Sequence, residues 1–100
     1  MTRQECINRL HEWRSNPKLL DTDDGLSTPI EVIDRAIALL GECAETPTNI
    51  VPDGDGGIAF RFCYGRNIEL LRDGRRYDYR FEDGKIISKM HEAAANIDGT

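Results

Sequence analysis

From Pro52 onward, Asp-Gly pairs punctuate a run of alternating apolar residues. Pro52-Asp53-Gly54-Asp55-Gly56-Gly57 is a turn-forming stretch, and it feeds directly into Ile58-Ala59-Phe60-Arg61-Phe62-Cys63-Tyr64. Asp73-Gly74 and Asp83-Gly84 divide the rest of the chain. A period of two broken by turn chemistry at intervals of about ten residues leaves an antiparallel meander as the natural fold of this half.

The two Asp-Gly pairs predict two-residue hairpin turns of type I′. The first sets Leu70 against Tyr77 and Ile68 against Tyr79; the second sets Phe81 against Ile86 and Tyr77 against Met90. A three-residue loop at Gly65-Arg66-Asn67 opposes Tyr64 to Ile68 and Phe62 to Leu70, whereas a two-residue loop would oppose Phe62 to Glu69. In this register one face gathers Ile58, Phe60, Phe62, Tyr64, Ile68, Leu70, Tyr77, Tyr79, Phe81, Ile86 and Met90. That is a core face on four strands. Ile50-Val51 suits a short edge strand ahead of the loop.

The first half reads as two helices. Thr2-Arg3-Gln4-Glu5 is a capping box, followed by Cys6, Ile7, Leu10 and Trp13 at helical spacing. Ser15-Asn16-Pro17 ends that helix. Residues 19–27 form a loop. Thr28 then serves as N-cap, with Pro29 at the first helical position and Glu31 completing the box. Ile30, Ile33, Ala36, Ile37, Leu40, Cys43 and Ala44 make one apolar stripe, and Thr46-Pro47 stops it. The expected class is α+β: two N-terminal helices packed on one face of a four-stranded antiparallel meander. One domain of 1–100 is expected, with a helical half 2–45, a sheet half 50–90 and a tail 91–100 that is frayed or a short helix.

Composition narrows the function classes. Hydrophobic residues make up 39% of the 100 residues, which suits a globular chain, and no apolar run reaches the roughly 18 residues of a membrane span. The start, Met1 to Cys6, lacks a signal-peptide core. Cys6, Cys43 and Cys63 are an odd, widely spaced set, so buried free thiols rather than disulfides are expected. Together these predict a cytoplasmic protein.

The net charge is −5, which disfavours nonspecific nucleic-acid binding. Its distribution is uneven. Residues 1–57 carry 5 basic and 11 acidic side chains, whereas residues 58–80 carry six arginines against Glu69, Asp73 and Asp78. In the predicted register the outer sheet face holds Arg61, Cys63, Glu69, Leu71, Arg76, Asp78, Arg80, Ile87 and Lys89, with Arg61, Leu71 and Arg76 in one row. Arginines among aliphatic side chains suit a protein partner or a homodimer; the bland alternative is a solvated charge ladder. The binding residues expected on this face are Arg61, Leu71, Arg76 and Arg80.

Other sites fail on their own chemistry. Counted from Asp53, an EF-hand would place Ile58 where its glycine belongs and Tyr64 where its bidentate glutamate belongs. Centring the pattern on Gly25 loses the first two ligands. Asp53, Gly54, Asp55, Gly56 and Gly57 open a strand rather than a helix, and two aspartates repel phosphate, so this stretch is expected to be structural. No CxxC pair is present, His11 and His91 lie far apart, and no metal or cofactor is expected. No nucleophile motif surrounds Ser27 or Ser88. Base stacking on RNA needs exposed aromatics, and the predicted register turns them inward.

The run Val51-Pro52-Asp53-Gly54-Asp55-Gly56-Gly57-Ile58-Ala59-Phe60, with Ile68-Glu69-Leu70, Asp73-Gly74 and Tyr77, resembles a group of small uncharacterised bacterial proteins. These share a P-D-G-x-G-G-I-x-F loop entering a short antiparallel sheet. The resemblance spans about residues 50–87 and implies a bacterial origin and a fold, not a mechanism. The function expected is a small non-catalytic protein-binding or regulatory module using the arginine-bearing face. The alternatives are a small-molecule or nucleic-acid binder at the Gly-rich loop edge, and an enzyme subunit without an active site of its own.

Overall fold

The computed structural model describes the backbone of residues 1–92 and the side chains through Ile87. Helix α1 spans Arg3–Ser15 and helix α2 spans Ile30–Glu42. Five strands follow: β1 Asn49–Pro52, β2 Ile58–Arg61, β3 Arg66–Leu70, β4 Arg75–Glu82 and β5 Lys85–Glu92. They form one antiparallel sheet in sequence order. The α+β class stands, but with five strands rather than four. Ile50-Val51 belongs to a strand paired along its length with β2. His91 and Glu92 belong to β5, so the expected tail begins too early; residues 93–100 lie outside the described residues.

Helix α1 starts as its sequence dictates. Thr2 Oγ1 accepts from the Glu5 amide at 3.1 Å, and Glu5 accepts in return from the Thr2 amide at 2.7 Å. These bonds hold the Glu5 carboxyl below the ordinary glutamate range. Helix α2 does not start at Thr28. Pro29, with extended backbone, is the N-cap, and its carbonyl accepts from Val32 at 3.0 Å. The Thr28 hydroxyl is buried without a hydrogen-bond partner among the described residues, and the Glu31 box does not form. At its other end α2 is capped from outside: Arg3 donates to the carbonyls of Leu40 and Cys43, groups that a helix terminus leaves unpaired.

The core lies between the helices and the first three strands. Cys6, Leu10 and Trp13 from α1 meet Val32, Ile33, Ala36, Leu39 and Leu40 from α2 over Ile50, Ile58, Phe60, Phe62, Ile68 and Leu70. Trp13 and Phe62 are buried as expected. No residue of β4 or of the described part of β5 joins this cluster. The β4–β5 hairpin extends the sheet past the helical layer. Among the described residues no helix is long and apolar enough to cross a membrane.

Two registers differ from expectation. The β2–β3 turn comes earlier: the Phe62 amide donates to Arg66 O at 2.9 Å, Cys63–Gly65 form a 3₁₀ turn, and Phe60 opposes Ile68. That shift keeps the parity, so Ile58, Phe60, Ile68 and Leu70 still share the core face. The β3–β4 shift does not. The Leu71 amide donates to Arg75 O at 2.8 Å and the Gly74 amide to Leu71 O at 3.0 Å, so the loop is Arg72-Asp73-Gly74. Leu70 therefore opposes Arg76, and Ile68 opposes Asp78. The physical cause is local. Asp73 keeps a negative φ and accepts from both the Arg75 amide (3.0 Å) and the Arg75 Nε (2.9 Å), leaving Gly74 alone at φ +98°. This is the three-residue loop whose last position requires a left-handed backbone. Asp83-Gly84, by contrast, makes the two-residue type I′ turn, with φ +50° and +77°, and Phe81 opposes Ile86 as expected.

Candidate interaction face

A one-residue slip sends every side chain of a strand to the other side of the sheet. From β4 onward the sheet is therefore inverted relative to the predicted register. Along the ladder, Val51, Ala59, Glu69 and Tyr77 share one row on the outer face, and Asn49, Arg61, Asn67 and Tyr79 share the next. Phe81 and Ile86 stand opposite each other beyond them. Arg76, Asp78 and Arg80 alternate onto the helix side.

The four expected binding residues are thus separated. Arg61 is exposed on the outer face at the end of β2. Leu71 lies past β3 and closes the turn through its own backbone. Arg76 is half-buried on the helix side and pairs with Asp78 through Nε at 2.7 Å and Nη2 at 2.9 Å. Arg80 is exposed on that side and pairs with Glu82 at 2.7 Å. The four do not share one face: the earlier β2–β3 turn sets Asn67 rather than Leu71 opposite Arg61, and the slip at Asp73 turns Arg76 and Arg80 to the helix side.

In its place stands an aromatic and aliphatic strip. Tyr77 and Tyr79 are half-buried, their rings edge to face at 6.1 Å. Phe81 is 54% exposed and Ile86 62%. The 63–65 turn packs beside Phe81, since a Cβ on Gly65 would lie 3.5 Å from the Phe81 Cβ. Tyr64, in that turn, is 96% exposed at φ +62°. A left-handed backbone on a non-glycine residue stores strain, and here it holds an aromatic ring in solvent. Sequence reasoning placed these four aromatics on the core face. In the structure the first Asp-Gly turn has Asp73 accepting from the Arg75 amide and guanidinium, but a cation follows the glycine in both turns, so the sequence carries no signal that separates them.

The Gly-rich loop is self-contained. Asp53 Oδ1 accepts from the amides of Asp55 (2.7 Å) and Gly57 (2.8 Å), so two of the loop's amides are taken by an acidic side chain of the loop itself. Gly56 takes φ +86°, a left-handed backbone that favours glycine. Gly57 is required for a different reason: a Cβ there would collide with Leu70 O and Asp53 Oδ2. Asp53 Oδ2 is buried with no donor among the described residues. Its neighbour is Glu69, whose carboxyl is pushed up to about 7 by burial, by its contact with Asp53, and by the charges of Asp53 and Asp55, with Arg61 opposing.

On the helix side a groove of about 450 Å³ runs between the end of α2 and β3–β4, lined among others by Leu39, Cys43, Arg66, Ile68 and Arg76. Its cations have partners: Arg76 is held by Asp78, and Arg66 lies over the Phe62 ring at 4.8 Å and 3.7 Å from Glu45. Burial raises the Cys43 thiol, which lowers its thiolate fraction and its reactivity. Burial likewise raises the Cys6 thiol, whereas Cys63 is exposed, contrary to the expectation that all three thiols are buried. The chain matches no family model, no curated protein and no solved structure.

Proposed function

We propose that this chain is a small cytoplasmic protein-binding module without catalysis. Its interaction surface is the outer sheet face around Phe81, Ile86, Tyr64, Tyr77 and Tyr79, with Arg61 beside them. One observation carries the reading: Phe81 and Ile86 stand opposed and mostly exposed on a sheet face that the helices do not cover. Exposed clusters of large apolar side chains mark interaction surfaces, and aromatic residues with arginine are enriched in them. The occupant is a second copy of the chain. Across a two-fold axis Phe81 of one copy meets Ile86 of the other and the reverse, a self-complementary arrangement.

A second reading has a specific observation in its favour. Half-buried Tyr77 and Tyr79 on an antiparallel sheet, with exposed Tyr64 in the neighbouring turn, offer rings for stacking on single-stranded nucleic acid. Charge argues against it. Arg76 and Arg80 sit on the helix side, while Asp53, Asp55 and Glu69 border the outer face near Arg61.

Sedimentation across a concentration series tests the proposal. Wild type is expected to dimerise at micromolar concentrations and Phe81→Glu to remain monomeric with an unchanged circular dichroism spectrum. A monomer at every concentration overturns it. Binding of a single-stranded oligonucleotide, lost in Phe81→Glu, would favour the second reading instead.

A further inference from the structure

Asp53 is the hub of the loop between β1 and β2. One oxygen organises the turn by accepting two backbone amides, and the Asp53 amide closes it by donating to Gly57 O at 3.1 Å. The other oxygen is buried against Gly57 and lacks a donor. A buried carboxylate oxygen without a donor is costly. The Glu69 side chain of β3 lies within hydrogen-bonding reach of the Asp53 carboxyl, and it donates only when protonated.

We propose that Asp53 and Glu69 share one proton, and that this proton latches the Pro52–Gly57 loop onto the sheet. With the proton in place, Glu69 donates to Asp53 Oδ2 and the loop is closed. Without it, two carboxylates face each other at close range beside Asp55, and the loop lifts.

The groups surrounding the pair favour a shared proton. From the loop come Asp53 and Asp55, both acidic; from β2 comes Arg61, whose charge favours ionised Glu69 but does not outweigh burial and the aspartates. From β4 the neighbour in register is the neutral Tyr77, and from β1 it is Val51. Arg72 crosses the loop at Gly56 but is tethered, its Nε donating to Ser27 O at 3.0 Å. Two carboxyl groups sharing a site cannot both ionise readily, and one keeps its proton to unusually high pH. The latch is independent of what docks on the outer face.

The test is a carbon-13 NMR titration of the side-chain carboxyls in the full chain. It is combined with hydrogen exchange of the Asp55 and Gly57 amides, corrected for the intrinsic pH dependence. Glu69 is expected to titrate near neutrality, and protection of both amides to fall about tenfold or more as that proton is lost. In Glu69→Gln the amide side chain donates at every pH, so protection is expected to become independent of pH. Asp53→Asn is expected to return the Glu69 midpoint toward the ordinary glutamate value. An ordinary midpoint in the wild type, or an unaltered pH dependence of protection in Glu69→Gln, overturns the latch.

Discussion

Phe81 stands directly opposite Ile86 across the β4–β5 ladder, and both side chains are more than half exposed. Phe60, by contrast, is fully buried under the helices. Two phenylalanines in one sheet therefore have opposite roles. Phe60→Ala is expected to cost about 3–5 kcal/mol, the range for a buried phenylalanine. Phe81→Ala is expected to shift stability by less than about 1 kcal/mol. Urea unfolding of the two variants at a concentration where both are monomeric measures the contrast; equal losses would contradict the register.

Arg76→Glu is expected to act on the fold, not on association. The guanidinium is half-buried and doubly bonded to Asp78, on the helix side of the sheet. Reversal places two acids side by side with Glu42 near, and a loss of about 1–3 kcal/mol is expected. The midpoint of thermal unfolding should fall while the dimer constant, measured below that midpoint, stays within about twofold.

Gly57→Ala is expected to destabilise by about 1–3 kcal/mol, as overpacking does, because its new methyl meets Leu70 O and the Asp53 carboxylate. Gly54→Ala meets open space and bears only the penalty of its φ of +89°, about 1–2 kcal/mol. Chemical denaturation should rank the pair in that order.

Stability is expected to fall as the pH rises through the range set by Glu69. Its ordinary value is 4.5, and in the folded protein it is raised to about 7. The folded state thus binds the proton more tightly than the unfolded chain, so this group favours folding most below about pH 4.5. The advantage shrinks as the pH climbs to about 7 and is gone above it. Glu69→Gln should flatten that part of a stability profile recorded by denaturant unfolding from acid to mildly alkaline pH.

Much of the fold could be read from residue patterns. The Thr2–Glu5 box and the Asp83-Gly84 turn rest on interactions within a few residues of each other, and the α2 stripe, Trp13 and Phe62 show as apolar spacing along a single element. The outer face could not be read the same way, because it hangs on one loop. Asp73-Gly74 is the same dipeptide as Asp83-Gly84, each followed by a cation, so nothing local in the sequence chooses between two and three loop residues. Alternation is symmetric: Arg-Tyr-Asp-Tyr-Arg-Phe says that two faces differ, not which one points to the core. Several arginines also act as struts that no local pattern reveals. Arg3 caps α2, Arg9 donates to Asn49 and Ile50 O, and Arg35 donates to Gly74 O.

Because the core cluster draws nothing from β4 or the described part of β5, the molecule has two tiers of cooperativity. Opening the last hairpin breaks ladder hydrogen bonds, carries the Arg76–Asp78 pair with it, and leaves the helices and the first three strands packed. Such segments exchange their amides by sub-global opening, at a free energy well below that of complete unfolding. An occupant of the outer face would bind mainly to this upper tier, through Tyr77, Tyr79, Phe81 and Ile86, and would touch the deeper tier at Tyr64 and Arg61. It would therefore slow exchange most along β4 and β5 and least in α1 and α2.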